Sequence, residues 1–287
     1  MKILENTPVE EYKVGGRTVY VKREDMCVEP PGPPFSKCRG LYKHMEWLKG
    51  QGFTTVGYAE SAISMAGIGV AYCAKELGMK AIIFDPQYKD ETPELLEIHR
   101  EKWKFFEAEV IPLKAGRTTI NHYLGQKYLI ETYGKNAIML PIGLRLQESV
   151  DETAKEWERT MKVIRPDVTI VPVGSGTIFA GLIKGAVIGD GILVGIMLYK
   201  GNRHSKLRQI YKKAGKIPGT FHVPQVKVFL HDTKYEYNQK SEVDCPFPSH
   251  PFYDLKAWEW LGENISFTVG KILFWNIGKE AKNKIEK

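Results

Sequence analysis

Short apolar runs alternate with amphipathic stretches along the 287-residue chain, the pattern expected when helices cover the faces of a sheet. Strands are predicted at Thr18–Lys22, Thr55–Tyr58, Lys80–Phe84, Ala108–Pro112, Ala137–Leu140, Val168–Val173, Ile192–Met197 and Val226–Leu230. Several, VTIVPV above all, are near-continuous Val/Ile runs, which suits strands buried on both faces of a parallel sheet. Helices are predicted at Lys37–Gln51, where Leu41, Met45 and Leu48 share one face, and at Ala66–Leu77, Glu91–Glu107, Val150–Ile164 and Gly176–Gly189. Asp151 is the expected N-cap of the fourth of these. The run PPGPP at residues 30–34 reads as a stiff loop rather than a hinge. An α/β pattern of this kind names no function by itself.

Composition narrows the class without choosing within it. At 43% hydrophobic and 26% charged residues the chain is ordinary for a globular enzyme. No apolar run approaches the roughly 18–20 residues that a membrane helix needs. The opening MKILENTPVEEYKV lacks an apolar signal centre, so a cytoplasmic protein is expected. Cys27, Cys38, Cys73 and Cys245 lack the short paired spacing of zinc ligands and are expected to be free thiols, with no metal site. The net charge of +7 gathers at Lys200 to Lys216 (KGNRHSKLRQIYKKAGK) and at the tail, Lys279 to Lys287. Such runs are either solvated surface or a footprint for a polyanion such as nucleic acid.

Candidate chemistry lies in two places. A strand ending in KRED runs into the proline loop, and then SKCRG opens a helix. A lysine in the first helical turn opposes the local dipole and gives up its proton more readily. That suits a Schiff-base lysine, which must be neutral to attack an aldehyde. Taken alone, the stretch fits a solvated Lys37 better. However, Gly174-Ser175-Gly176-Thr177 follows VTIVPV and precedes the helical run IFAGLIKG. Glycines there let backbone N–H groups converge on an anion at a helix N-terminus, which makes a phosphate cup. No GxxxxGK[ST] is present, which argues against a nucleoside-triphosphate loop.

Together these segments resemble the fold-type II pyridoxal-phosphate enzymes, the tryptophan synthase β-subunit-like superfamily, over nearly the whole chain. TPVEEYKVGGRTVYVKRED is similar to the family's opening, SKCRG to its lysine motif and VPVGSGTIFAGL to its phosphate loop. Within the superfamily the chain looks most like the branch of 1-aminocyclopropane-1-carboxylate deaminase and D-cysteine desulfhydrase. Lys37-x-Arg39-x-Leu41, Pro251–Ala257 and Ile272–Gly278 carry that likeness. The resemblance implies an α/β fold of two three-layer α/β/α subdomains with mostly parallel sheets and the cofactor in the cleft between them. Residues 45–145 would form the smaller, substrate-side subdomain, and residues 1–44 with 146–287 the larger, cofactor-side one. It further implies Lys37 as the covalent anchor of pyridoxal 5′-phosphate, Gly174, Ser175, Gly176 and Thr177 as the phosphate loop, and a homodimer.

Two segments depart from the resembled pattern. Where the family places a serine and an asparagine before the second helix, this chain reads Glu60-Ser61-Ala62-Ile63-Ser64-Met65-Ala66-Gly67. The serine survives as Ser64, but Met65 stands where asparagine would bond the cofactor's 3-hydroxyl. A thioether accepts hydrogen bonds poorly and donates none. A slip of one or two residues in the alignment is the other explanation. In the last loop Asn276 is the candidate beside the pyridine nitrogen, with Ile277 where a hydroxyl is expected. Ser61, Ser64 and Tyr253 are the substrate-side candidates, with Ser64 also catalytic, and Tyr235 is a weaker one. An enzyme that abstracts an α-proton clamps the substrate carboxylate, whereas one that expels carbon dioxide gains by not doing so. The expected function is a pyridoxal-phosphate lyase acting on an amino acid or amino-acid-like substrate by deamination, β-elimination or decarboxylation. Two alternatives stand beside it. One tailors an amino-acid adduct on nucleic acid, as in viral DNA base hypermodification. The other is a non-catalytic binding protein, favoured by Met65 and opposed by the intact Lys37 and glycine loop.

Overall fold

The long Val/Ile runs form the middles of two sheets in the computed structural model, which describes residues 3–88, 94–113, 117–216 and 226–281. Six strands lie in the order β1 (Val9–Val14), β2 (Arg17–Arg23), β10 (Ile272–Asn276), β7 (Val168–Val173), β8 (Ile192–Met197) and β9 (Lys227–His231). Only β1 and β2 pair antiparallel; the other neighbours are parallel. The second sheet is parallel throughout, in the order β5 (Glu109–Leu113), β4 (Lys80–Pro86), β3 (Thr55–Ala59) and β6 (Ala137–Met139). Every residue of β3 and of β7 is buried, as near-continuous apolar runs require.

Eight α-helices accompany these strands among the described residues: α1 (Cys38–Gly50), α2 (Ala66–Leu77), α3 (Glu94–Phe105), α4 (Thr118–Tyr133), α5 (Gln147–Val163), α6 (Thr177–Gly185), α7 (Arg203–Lys213) and α8 (Asp254–Asn264). None is long and apolar enough to cross a membrane. The mostly parallel α/β architecture is the expected one. Helix α5 differs in starting at Gln147, so Asp151 lies a turn inside it and is not its N-cap. Its carboxylate instead pairs with Lys184 at 2.7 Å and accepts from Gln147. Of the helix predicted at Glu91–Glu107, residues 91–93 lie outside the described residues, as does most of the basic tail, residues 282–287.

The KRED segment is densely bonded. Lys22, Arg23, Glu24 and Asp25 are all buried, and each charge has a partner. Lys22 Nζ meets Glu156 Oε1 of α5 at 2.6 Å, both side chains fully buried, and also donates to the Thr7 carbonyl. Glu24 grips Arg39 of α1, while Asp25 takes both Arg23 and the Asn276 amide. Burial alone would raise the Glu156 pKa, but Arg39 and Lys22 more than offset that and hold it below the usual carboxylate range. Removing one partner from a buried pair typically costs about 3–5 kcal/mol, because the other charge is left uncompensated.

Helices α1 and α5 touch almost backbone to backbone. A Cβ built on Gly40 would lie 2.2 Å from Ser149 N and 2.3 Å from its Cα, so only glycine fits. We predict that Gly40→Ala destabilises the protein by about 1–3 kcal/mol, the usual cost of overpacking, read as a lower denaturation midpoint. An unchanged midpoint would mean that the two helices part freely.

Candidate active site

Lys37 sits immediately before α1, where the proline loop turns into the helix. Its Nζ donates to the Gly143 carbonyl at 2.7 Å and to Ser175 Oγ at 3.1 Å. The amine thus ties together the start of α1, the turn after β6 and the loop after β7. Burial is the chief cause that lowers its pKa to about 7, with Lys213 and Arg145 adding to it. The sequence suggested a lowered value from the helix end; burial could be seen only in three dimensions.

The glycine turn is built as an anion cup. Gly176 has φ of +79°, a conformation that L side chains rarely adopt, and a Cβ there would also lie 2.6 Å from Ile210 Cγ1 of α7. Gly176 occupies the N-cap position of α6 with no side-chain cap. Thr177 N makes a long bond of 3.4 Å to Ser175 Oγ, and the next N–H groups of the helix face the turn without a side-chain cap, where an anion can take them. Ser175 Oγ and Thr177 Oγ1 lie 3.1 Å apart across the turn. From α7, Lys206 Nζ donates to the Gly174 carbonyl at 3.0 Å and Lys213 Nζ to the Ser175 carbonyl.

Lys37 and this cup face one cavity of about 280 Å³ that also takes Ser61, Ser64, Met65 and Tyr253 into its walls. Ser64 Oγ accepts from Ala66 N at the start of α2. Tyr237 OH lies 3.3 Å from Ser61 Oγ and 3.4 Å from Tyr253 OH. Met65 stands just before α2, nearly buried. Two sequence candidates lie elsewhere. Asn276 is fully buried, and its amide is taken by Asp25, the Pro248 carbonyl and Ser249. Its neighbours Ile277 and Gly278 line the cavity, and Asn276 itself does not. Tyr235 is also outside the wall, bonded to Glu259 with Lys256 above its ring.

Several lining residues carry no sequence signature. Glu60, the residue after β3, is buried, and this raises its pKa to about 8. Its carboxyl accepts from Ser61 N at 2.8 Å and, across the start of α2, from Gly67 N. Burial likewise pushes the Asp254 carboxyl well up; it accepts from Ile277 N at 2.6 Å. His250 is fully buried and kept neutral, its pKa lowered to about 3 by burial, then by His99 and Lys256. Its Nε2 has no partner among the described residues. Tyr58 OH accepts from Gly143 N at 3.0 Å, steadying the turn that also holds Lys37.

Pyridoxal phosphate asks a site for a neutral amine beside an anion cup, within a mostly apolar slot. A Lys37 amine near neutrality, 3.1 Å from a hydroxyl of the cup, and an uncapped α6 N-terminus fit that group. When an amine-directed acylating reagent is applied to the cofactor-free protein, labelling of Lys37 should rise with pH about a midpoint near 7. Peptide mapping by mass spectrometry reads this, and a midpoint above 10, as for a solvated lysine, would contradict the buried amine.

Comparison with known proteins agrees with this geometry. The sequence pattern of the pyridoxal-phosphate dependent enzyme family matches residues 2–217. A curated relative, the glycyl-dTMP PLP-dependent decarboxylase of Pseudomonas phage M6, is 34% identical over 287 residues, covering 96% of this chain and 100% of that protein. The fold matches the crystal structure of an ACC deaminase homologue with a TM-score of 0.76 at 19% identity, over 96% of this chain and 90% of the other. It also matches a hydrogen sulfide-producing enzyme of Fusobacterium nucleatum with a TM-score of 0.67 at 16% identity, over 98% and 97% of the two chains. With its lysine, its glycine cup and a family match over most of its length, the chain belongs to the fold-type II pyridoxal-phosphate-dependent enzymes.

Proposed function

We propose that this lyase decarboxylates an amino acid carried on a thymidine nucleotide, as the name of its phage relative describes for that protein. The observation that carries decarboxylation is the pair of hydrogen bonds to Glu60. In the resembled family the backbone N–H groups at the start of the second helix hold the substrate carboxylate. Here Glu60 already accepts from Gly67 N and Ser61 N. At the start of α2, Gly67 N is thus taken by an internal carboxyl and Ala66 N by Ser64 Oγ, and the Met65 side chain offers no donor. A substrate carboxylate is left without those two backbone donors. Interactions withheld from the ground state and absent from the departing group favour its loss.

In this reading Gly174, Ser175, Gly176 and Thr177 would hold the cofactor phosphate, Lys37 would anchor the cofactor, and Asp254, a buried acid of the same cavity, would serve its ring nitrogen. Bound pyridoxal phosphate supplies the electron sink that weakens bonds at the substrate's α-carbon. The chain's own groups do the rest. Ser61, Ser64 and Tyr253 orient the amino acid. Loss of carbon dioxide would leave the electron pair of the Cα–carboxyl bond at Cα, and Lys37 Nζ would be placed to deliver the proton that replaces the carboxyl group.

The direct test gives the cofactor-loaded protein a glycyl-thymidylate and follows its mass. Loss of carbon dioxide with retention of the amine is expected; release of ammonia with carbon retained would refute decarboxylation. Lys37→Ala should lose the cofactor's visible absorption, and turnover should fall by about 10²–10⁴-fold, the range for losing a general acid–base. Glu60→Ala should free two N–H donors to clamp the substrate carboxylate. Both KM and kcat should then fall, the signature of added ground-state binding. Glu60→Gln, which keeps one acceptor oxygen, should lie between the two. A Glu60→Ala enzyme with unchanged constants would remove the argument from the clamp.

A further inference from the structure

Beyond the reacting centre, the cavity opens past residues that neither lysine chemistry nor phosphate anchoring explains. Tyr237 lines it while 43% exposed, and Arg145 lines it while exposed, so both stand at the opening. Tyr199 packs against Tyr237 edge to face, centroids 5.4 Å apart. The Lys206 ammonium lies 5.5 Å from the Tyr199 ring centre and 3.4 Å from its hydroxyl. Tyr237 is held by Ser61 and Tyr253, so its ring is fixed rather than swinging in solvent.

The charges at this opening are unbalanced. Arg145 lines the cavity, while Lys206 and Lys213 stand behind its wall on the Gly174 and Ser175 carbonyls; burial first, then Arg145 and Lys206, lowers the Lys213 pKa. None of the three pairs with a carboxylate among the described residues. The two acids of the cavity, Glu60 and Asp254, are held toward their neutral forms. A cofactor phosphate in the cup, carrying up to two negative charges, offsets two of the three cations and leaves positive charge at the mouth. The basic run that includes α7 is therefore more than a solvated face. Lys206 and Lys213 turn inward to the loop carbonyls, while Arg203 pairs outward with Asp232.

An aromatic surface beside unpaired cations is the arrangement that holds a nucleotide, base on ring and phosphate on cation. We propose that the cavity mouth is a nucleotide subsite in which Tyr199 and Tyr237 take the pyrimidine while Arg145 and Lys206 take its phosphate. The inference rests on the decarboxylase reading above and adds how its substrate is held. It requires one nucleotide presented singly, either a free monophosphate or a residue swung out of a DNA strand; the two share this chemistry.

The test titrates the cofactor-loaded enzyme by calorimetry with thymidine, thymidine 5′-monophosphate, single-stranded oligothymidylate and the matching duplex. The monophosphate should bind about tenfold or more tightly than thymidine, as one charge-assisted contact allows. Arg145→Gln combined with Lys206→Gln should erase that difference and leave thymidine binding in place. Tyr199→Ala should weaken both ligands by about tenfold, the scale of one base–aromatic stack. Retained cofactor absorption in each variant shows that the fold is intact. Oligothymidylate binding better than the monophosphate identifies the strand as the source, and equal binding identifies the free nucleotide. Equal affinity for thymidine and its monophosphate, or a double variant that binds the monophosphate unchanged, overturns the subsite. If the monophosphate binds as expected but glycyl-thymidylate loses no carbon dioxide, the decarboxylase reading fails alone. If carbon dioxide is lost with KM unaffected in the variants, the subsite fails alone.

Discussion

Lys22 and Glu156 meet at 2.6 Å with neither side chain touching water, and much of the molecule is arranged to make that tolerable. A buried ion pair roughly breaks even only when its remaining hydrogen-bonding capacity is filled. Here Thr7 fills it from the N-terminal segment, Arg39 approaches from α1, and Glu24 closes the circuit through Arg39. The set joins the second strand of the larger sheet, the lysine helix and the long helix α5. Arg39 is two residues beyond Lys37. The network therefore fixes the backbone from which the reactive amine projects, although it touches no substrate.

The strands were legible because burial on both faces leaves unbroken Val/Ile runs, and β7 and β8 lie at their predicted residues. Strand β1 was not, because VEEYKV sits at a sheet edge with Glu11 and Lys13 exposed, so its charges mask the pattern. Helix α4 hid for another reason. It leaves Tyr123 and Ile130 exposed, and its apolar residues are spread around the axis without a single face.

In the site, lysine and glycine cup were readable because each does its chemistry through a local backbone motif. Glu60, Asp254 and His250 were not, because what distinguishes them is enclosure by residues far away in sequence. Asn276 shows the converse. Its position in the last loop suggested a cofactor contact, and the structure shows its amide bonded to Asp25 of the KRED network. A polar residue near a site bonds where its buried partners are, and a sequence does not display partners.

The close approach of Gly40 to Ser149 has a further bearing on how such an enzyme changes its chemistry. Because two helices meet there at backbone distance, the amine's location is set by main-chain geometry rather than by any replaceable side chain. The walls around it, Glu60, Met65 and Tyr237 among them, come from segments other than the lysine helix. A frame of this kind separates where the reaction happens from which bond it breaks, so new reactions can be reached by changing the walls alone.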